Sequence, residues 1–455
     1  MQGTGPAGAA DARSGGRLRG APRPAARHAS GDGMTGRQIT IWDFGVETAE
    51  PPHAPALAEA FEDLADWAPV SWPEEARAAG DLFPEAPRFR FRLDDGAIAQ
   101  AFPQTLHREL IASPGFQRLR DISFLGVIDR LFHPNGKPSF VRHNRYHHSL
   151  GVALLAVSYC RLAGVQPRDR DLLIAAALLH DVGHGPLSHT LEPVFADRFG
   201  IDHHAATAAV IRGDVPIGRD VRAALDRHGV DPDEVVALIA RRSNRPHAHL
   251  FSGPINIDTI DGICRANTYL HRAPVDAHPL ISVLALARVD RAGVRRLDGF
   301  WRLKERIYDS FIYGDVCRSA DALVQRHVDQ TIDRYRAEDF FLTERALLGR
   351  VRDLQALIAI LVGHIHADFR AARAAAVGRK RAAAEPAVPV EMVMGRERRF
   401  TIEPDVVLDS PEAYARRYRE VKTRRKRPLY GLSALAAIAA EGAGGRQPDL
   451  FGVAA

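Results

Sequence analysis

Histidine and aspartate side chains stand beside apolar residues in three separate stretches of the sequence. These stretches are HNRYHHSLGV (143–152), LLHDVGHGPLSH (178–189) and INIDTIDG (255–262). An imidazole or a carboxylate on a buried helix is costly unless it meets a cation or a hydrogen-bonding partner. Nitrogen and oxygen donors without thiolates are the ligands that a hard or borderline divalent ion accepts. These residue types therefore favour a divalent metal centre.

A single histidine beside an apolar face is more often a packed core residue than a metal ligand, and His180 alone would be interpreted in that way. The adjacent Asp181 and the further histidines downstream shift the interpretation towards a site. Asp258 and Asp261 lie three residues apart, so they share one face of a predicted helix. A metal site requires that these separate stretches converge.

The elements that must position these residues are predicted to be helices. Three stretches repeat apolar residues in steps of three and four: ELIASPGFQRLRDISFLG, SLGVALLAVSYCRLAG and DRDLLIAAALLHDVGHG. We expect the last of these helices to end at Gly183.

Two β-hairpins and a basic helix are predicted outside these helices. Alternating apolar residues before an Asp-Asp-Gly turn predict an N-terminal hairpin over residues 88–102. A late hairpin is predicted over VEMVMGRERRFTIEPDVV (390–407), and a basic helix over YARRYREVKTRRKRPLY (414–430).

Composition and charge limit the class of protein. The chain has 455 residues, of which 46% are hydrophobic and 26% charged, with a formal net charge of +5. This composition is that of a globular protein and permits nucleic-acid or nucleotide partners. No apolar run is long enough to span a membrane, so we expect no transmembrane helix. Cys160, Cys264 and Cys317 lie far apart, which argues against a disulfide framework or a cysteine zinc site and favours a cytoplasmic location.

Four ordered segments, SPGFQRLRDISFLG, HNRYHHSLGV, LLHDVGHGPLSH and INIDTIDG, resemble the HD superfamily of metal-dependent phosphohydrolases. The resemblance is to the branch that contains dGTPases and dNTP triphosphohydrolases, and it implies a mostly α-helical HD-domain core. We expect this core to carry a small N-terminal β-hairpin and a helical C-terminal region. The predicted segments are a disordered Gly/Ala/Pro/Arg-rich N-terminus (1–45), an accessory segment with the hairpin (46–110), the HD phosphohydrolase domain (111–330), a helical region with basic stretches (331–441) and a flexible tail (442–455).

The resemblance implies roles for nine residues. The implied metal ligands are His148, His180, Asp181 and Asp258. Arg145 is implied to bind substrate phosphate, and His184 and His189 are implied to face the phosphates. His203 is implied to protonate the leaving oxygen, and Glu192 to orient His203. The ligands would hold one divalent ion, for which Mn, Fe, Mg and Zn are all admissible, and the ion would acidify a bound water. His204 stands where relatives carry glutamate, which leaves open whether His203 or His204 faces the site.

The positions at which the family recognises the sugar depart from its pattern. The glutamine and aspartate that contact the 3′-hydroxyl are matched by Phe124 and Ala266, and a tyrosine beside the 2′ position is matched by Gly262. A lysine used on the phosphates is matched by Thr259. We therefore expect weak discrimination between ribo- and deoxyribonucleotides, or a substrate that is not a simple dNTP.

Several alternatives remain open on the sequence. Asp261 or Asn267 could read the sugar from a shifted position. The chain could instead be a nuclease or phosphodiesterase acting on single-stranded nucleic acid, or a non-catalytic nucleotide sensor. Residues 416–430 interleave basic residues with tyrosines and could grip nucleic acid, although a solvated helix face is the more common meaning of such a run.

Two further expectations concern partners. Residues 447–451, QPDLF, resemble the peptide with which bacterial replication proteins bind a sliding clamp, although five residues match by chance often. We also expect a nucleotide substrate, a homo-oligomer and no membrane partner.

Overall fold

The fold is mostly α-helical, as the sequence predicts. A computed structural model describes residues 93–131, 143–270, 275–286, 289–363, 390–391, 397–406, 408, 411–423 and 428–429. In this part of the chain helices dominate and the strands are short. None of the described helices combines the length and the apolar character needed to cross a bilayer.

The helices and strands follow one another in chain order. The α-helices are α1 (Asp95–Ala101), α2 (Thr105–Ala112), α3 (Pro114–Gln117), α4 (Ile128–Leu131), α5 (Arg145–Leu162), α6 (Pro167–Leu179), α7 (Glu192–Phe199), α8 (His203–Arg212), α9 (Arg219–Arg227), α10 (Pro232–Ile239), α11 (His249–Ser252), α12 (Ile257–Asn267), α13 (His278–Ala285), α14 (Arg291–Ile307), α15 (Asp315–Gln330), α16 (Glu344–Arg350) and α17 (Pro411–Arg417). Residues 352–363 are also helical. Short 3₁₀ turns are Arg118–Asp121, Ser188–Thr190, Pro216–Gly218, Thr268–Leu270, Ile332–Arg334 and Ala337–Phe341, and Tyr308–Ile312 is a π turn. The strands are β1 (Val390–Glu391), β2 (Glu397–Ile402), β3 (Tyr418–Thr423) and β4 (Pro428–Leu429).

Helix α5 is the centre of the fold. It begins at Arg145 because the Asn144 side chain caps it, accepting a hydrogen bond from the His147 N–H (2.9 Å). Most of its residues are buried, as expected of a helix that is apolar on every side. Helix α6, which starts with Pro167, packs against α5, and so do α12 and α13. Residues on α5 and α12 can therefore meet.

Within the described residues, buried apolar side chains form two clusters. The main cluster surrounds α5 and α6 and includes side chains from α1–α3, α8–α10 and α12–α14. The minor cluster gathers side chains from α7, α15, α16 and residues 352–363. Leu179, the last residue of α6, belongs to the main cluster, whereas Leu187 and Leu191 belong to the minor cluster. The chain therefore passes from one cluster to the other between Val182, which still belongs to the main cluster, and Leu187.

The predicted N-terminal hairpin is wrong over the residues that the structure describes. Asp94 caps α1 instead of starting a turn, because its carboxylate accepts from the Ala97 N–H (2.8 Å). The first predicted arm, 88–92, lies outside the described residues. The predicted helix over 109–126 is interrupted at Ser113, which ends α2 and caps α3, since Pro114 cannot continue α2.

The predicted late hairpin and basic helix are also wrong in part. Strand β2 pairs with β3 in an antiparallel ribbon, from Glu397 opposite Thr423 to Ile402 opposite Tyr418, and β1 pairs with β4. Strands within 390–407 thus pair with later strands, and the helix predicted over 414–430 ends at Arg417. Tyr418 is buried against Trp301 of α14, with ring centroids 5.1 Å apart. Packing of this side chain outweighs the helical preference of its charged neighbours.

Candidate active site

Four polar side chains from α5, α12 and the end of α6 converge. The Nε2 atoms of His148 and His180 lie 3.2 Å apart, and Asp181 Oδ2 lies 3.4 Å from each of them. Asp258 Oδ1 lies 3.2 Å from His148 Nε2 and 3.7 Å from His180 Nε2. The structure therefore brings together all four residues that the sequence suggested as metal ligands.

The hydrogen bonds of the two imidazole rings suit metal binding. His180 Nδ1 donates to the Ala177 carbonyl (2.8 Å), and His148 Nδ1 donates to Asp261 Oδ2 (2.6 Å). With the proton on Nδ1, each ring presents the Nε2 lone pair to the centre of the set. Two lone pairs and two carboxylate oxygens at these separations are a donor set that fits a divalent cation. The Asp258 side chain is 48% exposed, so the set is open on that side.

The charges of the set hold its carboxyl groups ionised. Burial opposes ionisation of Asp181, but Arg145 and His180 outweigh it and hold the pKa of this carboxyl well below its usual range. Burial also lowers the pKa of His180, yet the carboxylates of Asp181 and Asp258 outweigh burial and raise that pKa to about 9. The site is therefore one that attracts positive charge.

Asp261 and Arg265 support His148, and the sequence did not assign them this role. Arg265 binds both oxygens of Asp261 (2.9 and 3.0 Å) and donates to the His147 carbonyl (3.0 Å), and Asp261 and Arg265 are fully buried. Gly151 makes room for this pair, because a Cβ there would lie 2.1 Å from Asp261 Oδ1. The sequence signal for this pair is its spacing: Arg265 follows Asp261 by four residues on a predicted helix, and residues four apart can form an ion pair.

Arg145, at the first turn of α5, is aimed at the same set. Its Nη1 donates to Asp181 Oδ2 (2.6 Å) and its Nε to Ser188 Oγ (3.1 Å). Its Nη2 is buried and has no hydrogen-bond partner within the described part of the chain. A buried guanidinium N–H without a partner is costly, and an anionic oxygen would satisfy it.

A second group of side chains, His184, His189, Glu192 and His203, adjoins the metal set. His184 Nε2 lies 3.2 Å from Asp181 Oδ1, and the His184 and His203 rings stack with centroids 4.3 Å apart. Glu192 accepts from Nδ1 of His189 (2.9 Å) and from Nδ1 of His203. Of the two neighbouring histidines, His203 therefore belongs to this second group. His204 is more exposed, and its ring packs against the ring of His203.

The environments of these imidazoles set their protonation. Burial disfavours the charged form of His203, but the hydrogen-bonded Glu192 carboxylate outweighs burial and raises the pKa of His203. Burial and the Arg145 guanidinium hold the pKa of His184 well below its usual range. Hydrogen bonds from His189 and His203 hold the pKa of Glu192 below its usual range despite burial. The group thus contains a carboxylate, a protonatable imidazole and a neutral imidazole.

Gly183 has a different role from the predicted one. Helix α6 ends at Leu179, four residues earlier than expected, and Gly183 does not have a left-handed backbone. A Cβ at Gly183 would lie 2.0 Å from the Thr207 backbone nitrogen, and the Gly183 N–H donates to Thr207 Oγ1 (3.1 Å). Glycine is required here because α8, which carries His203, packs directly on the turn.

The residues that replace the family's sugar-recognising side chains are buried or border the metal set. Phe124 is buried with its ring centroid 4.8 Å from that of His148, and Ala266 is fully buried. A Cβ at Gly262 would lie 3.6 Å from Phe124 Cζ and 3.9 Å from His148 Cε1, so this position borders the metal set. Asp261 is buried and bound to His148 and Arg265, which argues against its reading the sugar.

A family model, that of the HD domain, matches residues 145–276, which include all of the residues in both groups. Residues 145–276 are therefore similar to the HD domain, in agreement with the superfamily that the motifs predicted.

Curated relatives agree with the branch that the motifs predicted. The chain is 33% identical over 147 residues to mouse deoxynucleoside triphosphate triphosphohydrolase SAMHD1, covering 30% of this chain and 21% of the relative. It is 28% identical over 190 residues to a SAMHD1 homologue of Dictyostelium discoideum, covering 37% and 34%. It is also 28% identical over 229 residues to the uncharacterized protein YwfO of Bacillus subtilis, covering 48% and 50%. The matched part spans half or less of the length of these relatives.

Proposed function

We propose that the chain is a divalent-metal-dependent phosphohydrolase that hydrolyses a nucleotide in the manner of the dNTP triphosphohydrolases. The observation that carries this proposal is Arg145 Nη2, a buried donor without a partner in the described structure, beside a four-donor metal set. A phosphate oxygen is the natural acceptor for such a donor. The relatives named as deoxynucleoside triphosphate triphosphohydrolases add support.

Each residue in the two groups has a defined task in this proposal. His148, His180, Asp181 and Asp258 hold one divalent ion, which would supply an acidified water and neutralise charge on a phosphate oxygen. Arg145 binds and orients the phosphate through Nη2. His184 and His189 face the phosphates. The Nδ1 of His184 has no hydrogen-bond partner among the described residues, so it can accept a hydrogen bond from the attacking water or from a protonated oxygen. His203 donates a proton to the leaving oxygen, and Glu192 keeps it protonated and oriented.

The nuclease alternative receives less support than hydrolysis of a nucleotide. It relied on a basic helix over 416–430, where β3 instead forms one strand of the ribbon. Arg417 is buried and paired with Asp298 (2.8 Å), so it is not available to a nucleic-acid backbone. Residues 424–427 and Tyr430 lie outside the described residues. A cytoplasmic location and a homo-oligomer accompany the proposal as expectations.

Replacing Asp181 by alanine tests the metal centre. The variant should lose bound metal and at least about a thousandfold of turnover, because the ligand also pairs with Arg145 and faces His184. Metal content by mass spectrometry and nucleotide hydrolysis by product analysis are the measurements. The matched control is Asp214→Ala, an exposed aspartate outside the site. Wild-type chain that binds no metal, and that no divalent ion activates, would rule the proposal out.

A panel of substrates tests the nucleotide specificity. Matched ATP/dATP and GTP/dGTP pairs, nucleoside monophosphates and single-stranded DNA are compared by the products released. Because Phe124 and Ala266 offer no side-chain hydrogen bond to a sugar hydroxyl, we expect less than about tenfold discrimination within each pair. A deoxy preference of about a hundredfold or more contradicts this interpretation of the sugar positions. Cleavage of single-stranded DNA alone would favour the nuclease alternative.

A further inference from the structure

The turn that follows the His-Asp doublet has an unusual backbone. We call residues 182–188 the post-doublet turn; it contains His184 and leads into His189. Leu187 and Ser188 both have left-handed backbones, with φ of 55° and 42°. A left-handed leucine is rare because its Cβ crowds the backbone, so the surrounding structure must hold it there.

The turn is held by residues 340–344, which we call the strap and which lie outside the matched HD domain. Glu344 is buried, and its Oε2 accepts from the Leu187 N–H (3.2 Å) as well as from the Ser123 N–H (3.0 Å) and hydroxyl (2.7 Å). Its Oε1 pairs with Arg130. The Glu344 carboxylate therefore connects Leu187, which has the left-handed backbone, to Ser123 in the segment beside it.

Two further contacts join the strap to the turn. Arg118 is buried and donates to the carbonyls of Leu342 (3.0 Å), Val182 (3.0 Å) and His184 (2.6 Å). The Phe340 ring packs on Gly185, where a Cβ would lie 3.0 Å from Phe340 Cδ2. The strap thus contacts the turn directly at Gly185 and Leu187, and Arg118 connects it to the beginning of the turn.

The post-doublet turn positions the two side chains that are proposed to bind the phosphates, Arg145 and His184. Ser188 Oγ accepts from Arg145 Nε (3.1 Å) and donates to the Ser123 carbonyl (2.5 Å). His184 belongs to the turn itself. The metal ligands are anchored differently, since His148 and Asp258 lie on α5 and α12, and His180 and Asp181 precede the turn.

We propose that the strap positions the phosphate-binding groups of the site, and that Glu344 and Arg118 are positioning residues that act through the post-doublet turn. This inference rests on the proposed phosphohydrolase function. It separates two properties of the site. The metal ligands are placed by α5, α12 and the end of α6, whereas the orientation of the Arg145 side chain and the position of His184 are set, through the turn, by a segment C-terminal to the matched domain.

The experiment compares Glu344→Ala and Glu344→Gln with wild type. Metal content, affinity for tripolyphosphate by calorimetry, unfolding temperature, and kcat and KM for the best nucleotide are measured on the full chain. Glu344→Ala should keep its metal but lose about tenfold in tripolyphosphate affinity and tenfold or more in kcat, because small misplacements of binding groups are costly in rate. Glu344→Gln should recover part of both losses, since its carbonyl oxygen can still accept from Leu187 and Ser123.

The matched control is Asp339→Asn. Asp339 is a buried carboxylate in the same region that pairs with Arg350 and caps its own turn without contacting the post-doublet turn. It should lower the unfolding temperature and leave tripolyphosphate affinity unchanged. The proposal is overturned if Glu344→Ala stays within twofold of wild type in affinity and kcat, or if Asp339→Asn loses as much of both.

The outcomes also distinguish this inference from the proposed function. A wild-type chain that hydrolyses no nucleotide, but whose tripolyphosphate affinity falls in Glu344→Ala alone, supports the strap and contradicts hydrolysis. A wild-type chain that turns over nucleotides while Glu344→Ala behaves as wild type supports hydrolysis and contradicts the strap. A wild-type chain without measurable affinity for tripolyphosphate contradicts both.

Discussion

Asp181 uses its two carboxylate oxygens for different neighbours. Oδ2 faces the imidazoles of His148 and His180 and receives Arg145 Nη1, whereas Oδ1 faces His184. The same side chain therefore joins the metal set to the group that contains His203. Its substitution removes more than a metal ligand, which is why we expect a large loss of turnover.

The pairing of Glu192 with His203 predicts a change in the pH dependence of turnover. Glu192 raises the pKa of His203, and a general acid must be protonated to act. Glu192→Gln removes the negative charge, so the alkaline limb of the kcat profile should move to lower pH and kcat should fall about tenfold to a hundredfold. The profile of kcat between pH 5 and 10 measures both effects.

A control separates this effect from a general loss of charge. Glu234 lies on α10, away from the site, and pairs with Arg245. Glu234→Gln removes this carboxylate and should leave the profile unchanged. An alkaline limb that stays in place in Glu192→Gln, with metal content intact, would assign the leaving-group proton to another residue.

At the scale of the residue, the sequence identified side chains that the structure brings together, but not the residues that support them. The four proposed ligands could be found because their motifs are short and ordered. Asp261 was visible as a partner of Asp258 on one helix face, and both residues do reach His148. Its pairing with Arg265 and the need for glycine at Gly151 depend on how closely α5 and α12 approach, which no single stretch of sequence specifies.

At the scale of the element, the long buried helices were predictable and the strands were not. Helices α5 and α6 have continuous apolar repeats, and each begins at a recognisable signal, Asn144 and Pro167. Strand β3 has no such signal, because its conformation depends on Tyr418 packing against α14 and on pairing with β2. Its partner strand is more than ten residues away, so local pattern could not identify it.

Helix α2 carries a buried histidine that predicts a pH-dependent stability. His107 is 1% exposed, and its Nε2 lies 3.8 Å from Asp171 Oδ1, too far for a hydrogen bond. Burial lowers the pKa of His107 to about 4, against the opposing effect of Asp171. Because the unfolded chain binds this proton near pH 6.5, the free energy of unfolding should fall as the pH drops from about 6.5 to 4.

The variant that tests this expectation is His107→Leu. It should abolish a pH-dependent loss of about 2 to 3 kcal/mol between those pH values, following about 1.4 kcal/mol for each pKa unit. Denaturant unfolding at pH 7, 5.5 and 4.5 gives the slope, and the NMR titration of His107 gives its pKa directly. A His107 resonance that titrates near pH 6.5 in the folded chain would contradict the prediction.

At the scale of the whole molecule, the matched domain and the structural site have different limits. The HD match covers residues 145–276, but Arg118, Ser123 and Glu344 contribute contacts from outside it. The predicted domain limits, 111–330, would exclude the strap, and they remain a prediction. The disorder predicted for residues 1–45 and the clamp peptide predicted at 447–451 both concern residues outside the described part of the chain, so both also remain predictions.

The passage of the chain between the two apolar clusters has a consequence for thermal inactivation. Structural units with separate cores can open one at a time, each with its own free energy of opening. If the minor cluster opens first, Leu187 loses its anchor while the helices that carry the metal ligands stay folded. We therefore predict that heating inactivates the protein before it releases the metal, and that amides of α15 and α16 exchange with deuterium faster than those of α5. Coincident loss of activity, metal and helical signal would show instead that the two clusters unfold as a single cooperative unit.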